Sequence, residues 1–181
     1  MINQKVYIIL TDTGTLFTRC IKLFTRKPHN HASISLDANL GQVYSFGRKK
    51  PNNPFIGGFI KEDIHHDFYR KSKCVIYSIT VTEEQYEKIM EKIKKMEEDK
   101  RHYRYNLIGL LFILFRIPYN RKNAYFCSQF VASILNESGV IYFEKPLSLM
   151  TPYDLLDDYK MQRIYEGNLQ GYPISMSNIV A

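Results

Sequence analysis

The chain has 181 residues, 45% of them hydrophobic, and a formal net charge of +7. This is enough apolar chain to bury the core of one compact domain, so we expect a single domain over 1–181 and need no second one. The basic residues lie among acidic ones, in short clusters such as Arg48-Lys49-Lys50 and Arg101-His102-Tyr103-Arg104. This pattern is typical of solvated surface, so no specific nucleic-acid partner is expected.

The first half of the chain is predicted to be rich in β-structure. Turn residues between Leu36 and Gly41 join two short segments, which indicates a hairpin. The segment 49–58 contains two prolines and Gly57-Gly58, so we expect a loop over one edge of the sheet, and whether it covers a cleft is left open. The predicted elements are a strand at 5–11, a helix at 14–26, and strands at 31–37, 41–47 and 58–61.

In the second half, the patterns predict both strands and helices. Thr82 is followed three residues later by Gln85, the spacing of a capping box, so a helix is predicted to begin there and to run to about Lys100. The other predicted elements are a strand at 74–81, helices at 106–116 and 126–138, a short helix from Thr151-Pro152 and a strand at 161–166. Together the elements predict the α+β class, with an antiparallel sheet packed against helices.

Two apolar runs bear on the relation of the chain to membranes. The run 6–10 is too short, and too soon interrupted by Thr11-Asp12, for a signal peptide, so it is interpreted as a buried strand. The run 107–115 falls well short of the roughly 20 residues that span a bilayer and is predicted to be a core helix. Peripheral contact of this run with a membrane or a partner surface is left open.

The cysteines Cys20, Cys74 and Cys127 form no disulfide-scaffold pattern and no CxxC pair, which fits reduced thiols and a cytoplasmic protein. None lies beside a histidine at metal-ligand spacing. The adjacent pair His65-His66 has no third ligand and is interpreted as surface, so we expect neither a metal nor a cofactor. Cys20 and Cys74 are interpreted as structural residues.

Cys127 stands where a helix is predicted to begin. Val131, Ile134 and Leu135 follow it at helical spacing, and Gly139 is a natural stop, which places the thiol in the first turn of the helix, facing the protein body. The positive end of the helix dipole and the unpaired amides of that turn both favour a thiolate. Cys127 is therefore the candidate nucleophile.

His31 is the best-placed base among five histidines. It opens a segment in which Ala32, Ile34 and Leu36 alternate with polar residues, the pattern of a half-buried strand whose polar face carries the histidine. Alone, a cysteine on an amphipathic helix is most often a small buried hydrophobe and a lone histidine a structural one. Together, a histidine on a strand and a cysteine at a helix start favour a Cys/His catalytic site.

The segment His31-Ala32-Ser33-Ile34-Ser35, followed later by Tyr125-Phe126-Cys127-Ser128-Gln129-Phe130-Val131, resembles the circularly permuted branch of the NlpC-like cysteine peptidases. This branch belongs to the papain-like superfamily, as does the lecithin retinol acyltransferase group. In the unpermuted branch the cysteine helix precedes the histidine strand, whereas here the order is reversed. The resemblance extends from the first strand through the Cys127 helix and implies a papain-like fold.

The resemblance also implies a role for each site residue. Cys127 would be the nucleophile and His31 the general base that later protonates the leaving group. A polar residue on the strand after the histidine would orient the ring; Ser45 or Gln42 occupies this position, and Ser45 is preferred, although a serine orients an imidazole only weakly. Tyr105 resembles the tyrosine that builds the oxyanion site, with the backbone amide of Cys127 as second donor.

These roles predict a cysteine hydrolase that forms an acyl-enzyme, and the resemblance favours a peptide-like amide as substrate over other acyl compounds. A lipid acyltransferase or thioesterase is the first alternative, supported by the apolar run 107–115 and the basic surface. A non-catalytic binding module is the second, supported by the weak third residue. The oligomeric state is left open.

Overall fold

The computed structural model describes residues 3–12, 27–50, 53–64, 72–156 and 160–173. These residues form an α+β fold with one six-stranded antiparallel sheet and three α-helices, as predicted. No helix within them is long and apolar enough to cross a membrane.

Three sequence-based predictions lie outside the described residues. They are the helix at 14–26, the structural role of Cys20 and the surface position of His65-His66.

The large sheet has the strand order β4-β3-β2-β1-β5-β8, and all of its neighbouring pairs are antiparallel. Its strands are β1 (Gln4–Thr11), β2 (His31–Ser35), β3 (Val43–Lys50), β4 (Asn53–Glu62), β5 (Lys73–Val81) and β8 (Gln162–Asn168). The short strands β6 (Arg104–Tyr105) and β7 (Ala124–Tyr125) form a separate parallel pair.

The helices are α1 (Glu83–Glu98), α2 (Leu107–Leu114) and α3 (Cys127–Glu137). The predicted capping box at the start of α1 is confirmed: the Gln85 amide donates to Thr82 Oγ1, and the Thr82 amide donates to Gln85 Oε1. Gly139 follows the end of α3 with a φ of 70°, in the left-handed region that favours glycine. Short 3₁₀ helices follow at Leu147–Leu149, Pro152–Leu156 and Leu169–Gly171.

The predicted loop at 49–58 is wrong, because β3 continues to Lys50 and β4 begins at Asn53. Prolines and glycines suggested a loop, but β4 is an edge strand of the sheet. An edge strand tolerates proline, since one row of its backbone groups has no partner strand to serve. The predicted hairpin of β2 and β3 is confirmed, and the predicted strand at 58–61 is the end of β4.

The strand β2 is buried on both faces, not half-exposed as the alternation suggested. Ala32 and Ile34 face the main core, where they join Phe130 and Ile134 of α3. The alternate residue Ser33 is only 1% exposed. The alternation therefore separates an apolar buried face from a polar buried face, and buried hydroxyls need hydrogen-bond partners.

The helix predicted at 106–116 is confirmed as α2, but the prediction that it lies in the core is wrong. Asn106 caps α2, its side chain accepting a hydrogen bond from the Gly109 amide at 3.0 Å. Gly109 is the only buried residue of α2, although every other residue of the helix is apolar. Hydrophobicity without a polar face gave the helix no preferred side, so the sequence could not show that the core leaves it largely uncovered.

Gly57 of β4 packs closely against Tyr105 of β6 and Gly47 of β3. A Cβ atom added there would lie 2.7 Å from Tyr105 Cβ and 2.9 Å from the carbonyl oxygen of Gly47. We expect Gly57→Ala to lower the free energy of unfolding in urea by about 1–3 kcal/mol, as overpacking does. Gly41→Ala is the control, because its Cβ would meet nothing closer than Asp37 at 3.7 Å; equal losses for the two variants would contradict the close packing.

Candidate active site

Cys127 is the first residue of α3, as the sequence predicted. The helix is anchored by Phe130, Val131 and Ile134, which are fully buried, so its N-terminus is held against the sheet. No side chain caps this end of the helix. The sulfur of Cys127 is instead close to the backbone amides of Ala32 and Ser128, which donate hydrogen bonds to it.

The structure brings His31 and Cys127 together although about half of the chain's 181 residues lie between them. His31 is the first residue of β2, where its Cα pairs with that of Thr11 on β1. Its imidazole hydrogen-bonds the Cys127 side chain. The other partner of the ring lies at Nε2, so Nδ1 is the nitrogen available to the thiol.

Glu62 is the partner of His31 Nε2, with its Oε1 2.6 Å away. The carboxylate is deeply buried, at 2% side-chain exposure, and the imidazole is 11% exposed. Two serine hydroxyls complete its hydrogen bonding: Ser33 donates to Oε2 at 2.8 Å and Ser45 donates to Oε1. The side chain of Glu62 therefore reaches from β4 past Ser45 of β3 to the histidine on β2.

Glu62 is absent from the site residues predicted from the sequence, among which Ser45 or Gln42 holds the orienting role. Ser45 contacts the carboxylate rather than the ring, and the exposed Gln42 lies in the turn before β3. The orienting group is one strand further along than the resemblance implied, because Val43 pairs with Glu62 in the ladder of β3 and β4. A signal did exist: Glu62 lies one residue past the predicted strand at 58–61, but its register against β3 could not be read from the sequence.

The His31 imidazole is held in its protonated form. Burial by itself lowers the pKa of this ring, but the charge of Glu62 and the hydrogen bonds of Glu62 and Cys127 raise it to about 10. Burial by itself raises the pKa of Glu62, but His31 and the two serines outweigh this effect, so that the pKa of the carboxyl lies below its usual value. A buried carboxylate and a buried imidazolium thus stabilise each other.

The Cys127 thiol is shifted toward the thiolate. Burial opposes this by raising the pKa, but the hydrogen bond and charge of His31, together with the Ala32 and Ser128 amides, outweigh it and hold the pKa below the usual value. Cys74 on β5 is the opposite case, because burial without a cationic partner raises its pKa to about 12. The fold therefore lowers the pKa of one buried thiol, Cys127, and raises that of another, Cys74.

Tyr105 lies in β6, beside Tyr125 in the parallel pair that leads to α3. It is half-buried and packs on Gly57 of β4. This places it near the chain segment that delivers Cys127, and its part in an oxyanion site stays a prediction.

A cavity of about 770 Å³ adjoins the elements that carry the Cys/His pair. Its wall at 149–151 is tied to α3, because Ser128 Oγ donates to the Met150 carbonyl at 2.7 Å. Its Tyr153 hydroxyl lies 2.7 Å from Nδ1 of His29, two residues before His31. Apolar and charged side chains both line it, namely Ile113, Leu114, Leu149, Leu156, Lys27, Arg116, Lys145 and Asp154, and the last two form an ion pair with an N–O distance of 2.7 Å.

Within the described residues, no group of three or more His, Cys, Asp or Glu side chains could hold a metal ion. Comparisons of the chain with protein-family models, with curated proteins and with solved structures found no significant match. The site therefore rests on its own geometry: a thiol at a helix N-terminus, an imidazole on a neighbouring strand and a buried carboxylate behind the imidazole.

Proposed function

We propose that the protein is a cysteine hydrolase that forms an acyl-enzyme on Cys127. The observation that carries the proposal is the chain of contacts from Glu62 to His31 to Cys127. A nucleophile, a base and a group that orients the base are the parts that covalent acyl transfer requires.

In the proposed reaction, the Cys127 thiolate attacks the carbonyl carbon of an amide, ester or thioester. The oxygen of the tetrahedral intermediate accepts hydrogen bonds from the Cys127 amide and from a second donor, for which Tyr105 is the candidate. His31 then gives its Nδ1 proton to the leaving group as the carbon–heteroatom bond breaks. The same nitrogen next accepts a proton from a water molecule whose oxygen attacks the carbonyl carbon of the thioester. The carbon–sulfur bond then breaks, which releases the acid and regenerates the thiolate of Cys127 beside the protonated imidazole.

Glu62 serves this cycle without touching the substrate. Because it accepts the Nε2 proton of His31, the imidazole keeps Nδ1 directed toward the sulfur through both half-reactions. Two serine donors fix the carboxylate in turn. The arrangement supports a papain-like fold of the permuted NlpC-like type, with a glutamate from β4 as third residue.

The resemblance favours a peptide-like amide as substrate. A specific observation also favours the second candidate, a lipid acyltransferase or thioesterase. The adjoining cavity has apolar walls, and besides the ion pair of Lys145 and Asp154 it is lined by Lys27 and Arg116, which suits an acyl chain whose anionic group meets these two cations. A non-catalytic module loses its main support, because the ring is oriented by a charged carboxylate and not by a serine alone.

The test is a burst experiment with p-nitrophenyl acetate. We expect rapid release of about one nitrophenol per protein, a mass increase of one acetyl group on the Cys127 peptide, and then slow turnover. Cys127→Ala should lose both the burst and the acetyl adduct. Cys74→Ala, which removes another buried thiol, is the matched control and should keep both. A burst that survives in Cys127→Ala would refute the assignment of the nucleophile. A separate comparison of the rates at which the wild type cleaves peptide amides and acyl lipids distinguishes the two substrate classes.

A further inference from the structure

The exposed apolar side chains of the described residues are concentrated at α2. Of the eight large hydrophobic residues with high exposure, five lie at 108–117, among them Leu111 at 51% and Phe115 at 71%. Ile108, Leu111 and Phe115 follow each other at spacings of three and four, so they lie on one face of the helix. A contiguous apolar surface of this kind marks a contact site rather than ordinary surface.

Cations flank α2 on both sides along the chain. The segment 104–122 contains Arg104, Arg116, Arg121 and Lys122 and not one Asp or Glu. All four cations are exposed. The residues after α2 fold back along it, because the rings of Phe112 and Tyr119 lie 5.2 Å apart and the Asn106 side chain donates to the Tyr119 carbonyl. Arg121 and Lys122 are thereby returned toward the start of the helix.

We propose that this face docks on an anionic phospholipid surface, with Ile108, Leu111 and Phe115 entering the acyl boundary and the cations contacting the headgroups. An apolar helix face bordered by Arg and Lys is the composition of interfacial membrane segments. The positive charge favours a bilayer over a second copy of this chain as the partner. Two copies of this face would bring two basic surfaces together, whereas an anionic bilayer neutralises the cations.

The proposal does not depend on the chemistry of Cys127, but it places the cavity at the bilayer. Ile113, Leu114 and Arg116, which line the cavity, belong to α2 or follow it directly. A molecule leaving the membrane beside α2 would therefore meet the apolar and cationic wall of the cavity first.

The test is co-sedimentation of the full chain with phosphatidylcholine vesicles that contain or lack phosphatidylserine. We expect binding to the vesicles with phosphatidylserine only, and weakening of that binding by salt. Leu111→Glu with Phe115→Glu should abolish it, whereas Met90→Glu, which alters another exposed apolar residue, on α1, should leave it unchanged. All three positions are exposed, so the variants should keep the wild-type melting temperature.

A second pair of variants measures the electrostatic part. Arg121→Gln with Lys122→Gln should lower the partition coefficient by about fivefold per cation, the factor that corresponds to about 1 kcal/mol. Lys94→Gln with Lys95→Gln on α1 removes the same charge from another exposed surface and is the control. Three results would overturn the proposal: equal binding to neutral vesicles, no binding to either kind, or a dimer in sedimentation equilibrium that Leu111→Glu with Phe115→Glu dissolves.

Discussion

Cys127 should react with iodoacetamide at about pH 6 roughly 10–100 times faster than free cysteine does. Free cysteine, with a pKa near 8.5, is less than about 1% thiolate at that pH, whereas His31 and two backbone amides stabilise the thiolate of Cys127. The gain is smaller than the ratio of thiolate fractions, because a thiolate of low pKa is a weaker nucleophile. The reagent must be small, since Cys127 is only 5% exposed.

Variants with a single cysteine make this measurement specific. Cys20→Ser with Cys74→Ser leaves Cys127 alone, and Cys20→Ser with Cys127→Ser leaves Cys74, a buried thiol whose pKa is about 12. The second protein should not react measurably in the native state. Adding His31→Gln to the first should slow alkylation about 100-fold, because burial then acts on the thiol without an imidazolium to oppose it. Similar rates in all these proteins would contradict an activated Cys127.

The imidazole of His31 should remain protonated up to about pH 10, and Glu62→Gln should lower its pKa by about 1–3 units. The amide keeps the size of the side chain and an oxygen that accepts from Nε2, but it removes the negative charge that stabilises the imidazolium. Titration of ¹³C-labelled His31 by NMR measures the shift directly. The matched control is Asp63→Asn, which removes one negative charge from the exposed neighbouring residue and should leave the titration of His31 where it was.

Glu62→Gln should also lower the free energy of unfolding, by about 3–5 kcal/mol, because it leaves the buried imidazolium of His31 without its partner. The pKa of His31 is raised on folding, so the stability that this shift contributes is fully present below pH 6.5 and is lost as the pH rises through about 10. Urea unfolding of Glu62→Gln and the wild type at both ends of this interval should show a difference that shrinks with pH. A difference that grew toward pH 10 would exclude the ion pair as its cause.

Local signals predicted the two ends of the site. Cys127 was identified because helical spacing and a stop glycine define where α3 begins, and both are properties of neighbouring residues. His31 was identified because alternation marks a strand. The patterns made a Cys/His pair a hypothesis and the family resemblance supported it, but no local rule says which strand faces which helix.

The features that depend on pairing between distant parts of the chain could not be predicted from the sequence. Glu62 reaches His31 through the register of β3 and β4, and a register is fixed by the whole sheet. The prediction for 49–58 failed for a related reason, because a proline that would break a central strand is harmless at an edge, and edge position is a property of topology. The burial of α2 was mispredicted because its apolar residues do not distinguish the protein core from an exposed apolar face.

The two serine hydroxyls on Glu62 have a consequence for evolution. Neither Ser33 nor Ser45 meets a substrate in the proposed reaction. Loss of Ser33 would leave the buried Oε2 of Glu62 without its hydroxyl donor, at about 1–3 kcal/mol, and loss of Ser45 would leave Oε1 with His31 as its remaining partner. Selection should therefore hold both positions as firmly as the nucleophile. Homologues too diverged for ordinary alignment should still share four spaced letters, His, Ser, Ser and Glu, ahead of their cysteine.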